Sequence, residues 1–93
     1  MRIVFLPSAT QDTIWFRYYY RSVFPAGNER ANNSLKAMQT LLATNPYVGH
    51  PSPSHEGVRE LHVKKTLFSL IYRVTGIQIE VLRLWDERQG ARY

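Results

Sequence analysis

The sequence predicts an α+β domain in which a helical hairpin covers one face of a mainly antiparallel, twisted sheet, in the order strand, helix, helix, strand, strand, strand. Three observations carry this expectation. Helical periodicity is confined to two segments of the first half, apolar and polar residues alternate in three segments between Val58 and Trp85, and a proline- and glycine-rich stretch separates the two regimes. Amphipathic helices beside alternating strands bury their apolar sides against one another, which is the layering of an α+β domain.

Arg2 to Leu6 is a short apolar run with Ile3, Val4 and Phe5, read as a first strand that ends where Pro7 removes a backbone donor. Ser8 and Gln11 have the spacing of a capping box, so a helix is expected to start at Ser8. From Ala9 to Phe24 its buried stripe is Ala9, Thr13, Phe16, Tyr20 and Val23. Trp15, Tyr18, Tyr19 and Phe24 are more aromatic surface than one stripe can bury. Pro25, Gly27 and Asn28 break this helix, and Ala31, Leu35, Met38 and Leu42 define a second stripe that Pro46 stops, which completes an αα-hairpin.

Asn45 to Gly57 holds three prolines, two glycines, two serines and two histidines without periodicity and is expected to be a loop. Val58 to Val63 then places Arg59, Leu61 and Val63 on one face and Glu60 and His62 on the other. Leu67 to Val74 alternates likewise. Thr75-Gly76 predicts a tight turn with glycine able to take positive φ, after which Ile77, Ile79, Val81, Arg83 and Trp85 share one face of the last strand.

At 93 residues, with 44% hydrophobic and 20% charged side chains, the chain has room for one core and is expected to be a single domain over residues 1–93. The absence of cysteine excludes disulfides, thiolate metal sites and a cysteine nucleophile. Only four apolar residues separate Arg2 from Pro7, too few for a secretory h-region or a spanning helix, so a cytoplasmic location without membrane insertion is expected. The net charge of +5 favours polyanions or acidic proteins as partners, although the basic residues form no single run.

No phosphate-binding glycine loop, nucleophile elbow or metal-spaced histidine pair is present, so no cofactor or metal is expected, and His50, His55 and His62 are read as surface histidines. The sheet carries the residues of chemical interest. Arg59, Arg73 and Arg83 lie on strands and Arg88 and Arg92 follow the last one. On one face they would converge into a phosphate or carboxylate clamp; alternatively they are held in ion pairs by Glu60, Glu80, Asp86 or Glu87. RNA cleavage would need a base (Glu60 or His62), a cation (Arg59 or Arg88) and an acid (Tyr93).

Several short motifs, in this order, resemble the RelE/ParE superfamily of bacterial toxins. They are Ser8-Ala9 with Asp12 and Phe16, Asn45-Pro46 with Gly49, Gly57-Val58-Arg59-Glu60-Leu61, Leu70-Ile71-Tyr72-Arg73-Val74, and Ile79-Glu80-Val81-Leu82-Arg83-Leu84-Trp85 leading to Arg88. Such proteins are the toxin halves of type II toxin–antitoxin, or plasmid-stabilisation, modules. The resemblance implies growth inhibition through DNA gyrase or through ribosome-dependent mRNA cleavage, and neutralisation by an adjacently encoded, usually acidic antitoxin in a hetero-oligomer. It casts Arg59, Arg83 and Arg88 as target-binding residues, and Trp15 and Tyr19 are the candidates for antitoxin contact.

The departures from the family pattern bear on the choice. Ribosome-dependent nucleases of the superfamily usually carry an arginine where this chain has Ser69, and many place a histidine where it has Asp86. This favours the ParE-like branch, with an mRNA endonuclease or an inert binding module of the same fold as alternatives.

Overall fold

The computed structural model describes residues 1–90 and Tyr93. Two helices pack on a five-stranded sheet of order β1-β5-β4-β3-β2. The strands are β1 (Arg2–Phe5), β2 (His50–Pro51), β3 (Arg59–His62), β4 (Phe68–Val74) and β5 (Gln78–Asp86); the helices are α1 (Pro7–Tyr18) and α2 (Asn28–Thr44). β1 runs parallel to β5 and the remaining pairs are antiparallel, so the sheet is mixed but mainly antiparallel as expected. The stretch read as one loop contains β2, whose His50 and Pro51 pair with Glu60 and Arg59.

α1 starts one residue earlier than expected, and the capping box does not form. Pro7 occupies the first helical turn behind an extended Leu6 cap that has no side-chain bond. Proline brings a helix-compatible φ and no N–H in need of a cap, so Ser8 is drawn inside the helix. Ala9, Phe16 and Tyr20 are buried as the stripe requires, but Val23 is exposed. Tyr19–Val23 widens into a π-helical turn, closed by the Phe24 N–H to the Tyr19 carbonyl at 2.8 Å, and the added residue per turn swings Val23 out of line. α2 follows its stripe, with Ala31, Met38 and Leu42 buried.

The core lies between the helices and the face of the sheet carrying Phe68, Leu70, Tyr72, Ile79, Val81 and Leu84. Phe16, Tyr20 and Phe68 meet at ring-centroid distances of 5.0 to 6.1 Å, in the tilted and edge-on arrangements that aromatic quadrupoles favour. At the loop, the buried Gly49 N–H donates to the Tyr72 hydroxyl at 2.9 Å, and a Cβ there would stand 2.6 Å from the Glu60 carbonyl oxygen.

Two details of the last hairpin depart from the alternation. The two-residue loop is Gly76-Ile77, flanked by Thr75 and Gln78, whose N–H and carbonyl bond at 2.9 Å. The Thr75 hydroxyl donates to the Gln78 carbonyl at 2.9 Å and accepts its N–H at 3.1 Å, while positive φ among the described glycines is confined to Gly57 and Gly90. Further along, Ile71 pairs with Arg83 but Tyr72 with Val81, so Leu82 is the extra residue of a β-bulge. The bulge transfers the inward role from odd to even positions: Ile79 and Val81 join the core before it, Leu84 after it. Arg83 and Trp85 therefore align with Ile71 and Ser69 on the far face.

Candidate functional site

Cross-strand pairing gathers a cluster on the far face. Glu60 lies opposite Ile71, His62 opposite Ser69, Ser69 opposite Trp85, and His50 opposite Glu60. Residues in register on one face stand about 5 Å apart. Glu60, Ser69, Ile71, Trp85, Glu87 and Tyr93 line a pocket of about 180 Å³ there. The short 3₁₀ turn Glu87–Gln89 brings Glu87 back over the sheet, its N–H bonded to the Leu67 carbonyl at 2.8 Å.

Two histidine–carboxylate pairs flank this pocket. His62 Nδ1 lies 3.0 Å from Glu87 Oε2, which also accepts the Ser69 hydroxyl, and His50 Nε2 lies 2.8 Å from Glu60 Oε1. In a neutral ring a carboxylate partner favours the proton on the bonded nitrogen, and His62 Nε2 and His50 Nδ1 are then the acceptors. Tyr93 packs edge-on against Trp85 with centroids 5.8 Å apart, and its hydroxyl bonds to Ser52 Oγ at 2.8 Å. Thus Glu60, His62 and Tyr93, the acid–base candidates from the sequence, share one neighbourhood. His50, Ser69 and Glu87 complete it.

Among the described residues the arginines are not gathered there, and only Arg83 approaches, its guanidinium 4.7 Å from the Trp85 ring centroid. Arg59 donates from Nε to the Gly49 carbonyl at 3.0 Å and from Nη2 to the Tyr47 carbonyl at 3.1 Å, with its guanidinium 5.4 Å from the Tyr47 ring centroid. Arg73 pairs with Glu80 at 2.7 Å, one of the carboxylates expected to hold it. Arg83 grips Asp12 of α1 with bonds of 2.7 and 2.9 Å, and the same carboxylate accepts the Leu84 N–H at 3.0 Å where β5 runs on beyond the end of β1. Arg88 pairs with Asp86 at 2.6 Å and lies 4.9 Å from the Tyr19 ring centroid. Arg92 lies outside the described residues.

These pairs account for the electrostatics. The bidentate guanidinium of Arg88, followed by its backbone N–H and the Trp15 indole, holds the Asp86 carboxyl below the usual range. The hydrogen bonds to Asp12 push Arg83 further up. Glu80 is lowered by the Gln78 amide and Arg73. Burial raises the Tyr20 hydroxyl, whose oxygen accepts the Leu67 N–H at 3.3 Å. Among the described residues no group of three or more histidines and acids is placed to hold a metal ion.

Trp15 and Tyr19 stand together at the end of α1. Trp15 is 39% exposed, stacks on Tyr18 at 5.7 Å, lies 5.9 Å from Tyr19 and donates its indole N–H to Asp86 Oδ2 at 3.4 Å. Tyr19 is half-buried beneath the Arg88 guanidinium. Ile14 and Tyr18 extend this apolar surface.

Two helices packed on a mainly antiparallel five-stranded sheet give the RelE/ParE-like α+β fold. A family model described as the ParE toxin of the type II toxin–antitoxin system parDE matches residues 3–90, and the chain belongs to that family. Its fold is similar to a solved chain of the chromosomal ParDE toxin–antitoxin system from P. aeruginosa, at 24% identity over 90% of this chain and 92% of that one, with a TM-score of 0.69. It is also similar to a chain of the E. coli DinJ–YafQ complex, at 23% identity over 97% and 98% with a TM-score of 0.68. YafQ from E. coli strain BL21(DE3) gives 24%, 96%, 97% and 0.67 in the same terms. No curated protein sequence matches the chain.

Proposed function

We propose that this toxin arrests bacterial growth by protein–protein contact with DNA gyrase in the cytoplasm, and that an acidic, adjacently encoded antitoxin holds it inactive in a hetero-oligomer. The observation that supports a non-nucleolytic mode is the placement of the arginines. Cleavage of RNA builds negative charge on the phosphorane, and a site for it needs a cation aimed at that charge. Arg59 is bonded to loop carbonyls, and Arg73, Arg83 and Arg88 to carboxylates, while the far-face pocket presents the carboxylates of Glu60 and Glu87. An aspartate at position 86 fits this reading because it occupies Arg88 instead of leaving that cation to a substrate.

Antitoxin contact is supported by the surface at Trp15, Tyr18 and Tyr19. Exposed tryptophan and tyrosine beside arginine are the residues enriched at the centres of protein interfaces. The similar solved chains come from a ParDE toxin–antitoxin system and a DinJ–YafQ complex, which agrees with a partnered toxin.

A second reading, mRNA cleavage on the ribosome, is favoured by the two histidine–carboxylate pairs, since among the described residues only one ring nitrogen of His62 and of His50 is hydrogen-bonded, which leaves the other for proton transfer. Purified components separate the two. The proposal expects the chain to inhibit supercoiling of relaxed plasmid by gyrase and to leave mRNA intact on programmed ribosomes; cut mRNA with unimpaired supercoiling would reverse the assignment.

A further inference from the structure

The far face of the sheet holds the acid–base groups, and the opposite side of the molecule holds unneutralised charge. An open groove of about 690 Å³ runs between α2 and the turn joining β3 to β4. Arg30, Lys64 and Lys65 line it, all exposed, and among the described residues none of the three meets a carboxylate within ion-pair distance. Asn33 and Ser34 add hydrogen-bond donors, and Glu29 is the one acid among the described lining residues.

The turn itself is built to present the two lysines. Val63 and Thr66 close it, with the Thr66 N–H to the Val63 carbonyl at 3.1 Å and the Thr66 hydroxyl to the same oxygen at 2.8 Å. Lys65 sits at φ +63°, the only positive φ among the described residues other than glycine. A glycine or asparagine adopts that conformation more easily, so the lysine sits there at a backbone cost.

We infer that this groove is a sequence-independent contact surface for the phosphate backbone of a nucleic acid duplex. Arginine, lysine, serine and asparagine are the side chains that bond phosphate oxygens, and here they supply five of the lining positions. An acidic amphipathic helix is the competing occupant, but its apolar side would find only Ala26, Ala37 and an already buried Met38. Among the described residues no aromatic side chain lines the groove, which argues against base stacking and therefore against sequence reading of single strands. None of these residues belongs to the far-face pocket, so the inference stands whether gyrase or the ribosome is the target.

Fluorescence anisotropy of the full chain with labelled mixed-sequence duplexes tests it, one of DNA and one of RNA. Three phosphate contacts contribute a salt slope of about −2.7, so that part of the affinity falls about 40-fold between 50 and 200 mM salt. The variant combining Arg30→Gln, Lys64→Gln and Lys65→Gln should bind at least tenfold more weakly at 50 mM salt and lose most of that slope. Arg73→Gln, on the other face, should bind like wild type. Matching circular dichroism and thermal midpoints would establish that all variants fold, and the doubly substituted Lys64→Gln, Lys65→Gln chain serves should the triple one not. The duplex bound more tightly names the source of the phosphate. A wild type that binds neither duplex, a triple variant with unchanged affinity and slope, or binding of polyglutamate through the groove in the absence of duplex binding would each overturn the inference.

Discussion

Asp86 grips the guanidinium of Arg88, two residues further on, through bonds of 2.9 and 2.6 Å, and accepts the Arg88 backbone N–H at 3.1 Å as well. One carboxylate thereby turns the chain after β5, lays Arg88 over Tyr19 and ties both to Trp15. The post-strand cation that the sequence offers as a phosphate ligand is, in the fold, part of the joint between the sheet and α1.

That joint should titrate. The folded-state pKa of Asp86 lies below its unfolded value, so its contribution to stability is complete above the ordinary carboxylate range and is lost as the pH falls through the lowered folded value. Urea midpoints measured down an acid series should therefore fall more steeply for wild type than for Asp86→Asn. Parallel curves would show that the pair carries no pH dependence.

The Arg83–Asp12 pair should matter to stability. Asp12→Ala strips partners from a half-buried guanidinium and from the Leu84 N–H together, and a destabilisation of about 1–3 kcal/mol is expected from denaturant unfolding. Asp12→Asn should recover part of it through the Leu84 bond.

Gly49→Ala should be among the costliest single-carbon additions, since the new Cβ would meet the Glu60 carbonyl and the Tyr72 hydroxyl below van der Waals distance. Overpacking of this kind costs about 1–3 kcal/mol. Gly76→Ala, with open space around it, is the control and should leave the urea midpoint nearly unchanged.

Arg88→Ala and Arg59→Ala should both lower toxicity, but by separable routes. Arg59 anchors the loop through the Tyr47 and Gly49 carbonyls, so its loss should speed hydrogen exchange in residues 47–51. Arg88→Ala should leave exchange in that loop as it is. Growth arrest at wild-type strength in both variants would remove the two arginines from the target surface.

Antitoxin binding should shift the emission of Trp15 to the blue, because Trp15 is 39% exposed while Trp85, at 7%, is already buried. The shift should vanish in Trp15→Phe. An unchanged spectrum on complex formation would place the antitoxin elsewhere.

Much of this architecture is legible in the sequence. The α2 stripe of Ala31, Leu35, Met38 and Leu42 and the alternation across Glu60 and His62 depend on local period alone, and both hold in the fold. The π-helical turn at Tyr19–Val23 and the bulge at Leu82 each insert one residue into a regular repeat, and no composition marks the insertion point. Arginine partners divide the same way. Glu80 is across a hairpin from Arg73 and can be counted to, whereas Asp12 lies 71 residues from Arg83 and is found only once α1 is laid along β5. The far-face cluster was half readable, since the β3 alternation pairs Glu60 with His62, but Ser69, Glu87 and His50 join them only through strand register and the turn after β5.

The central claim concerns how growth stops. Inducing the toxin in a bacterium without its antitoxin and following labelled thymidine, labelled methionine and mRNA integrity over the first minutes tests it most directly. The account predicts that DNA synthesis falls first while mRNA stays whole; an immediate halt in translation with cleaved mRNA would contradict it.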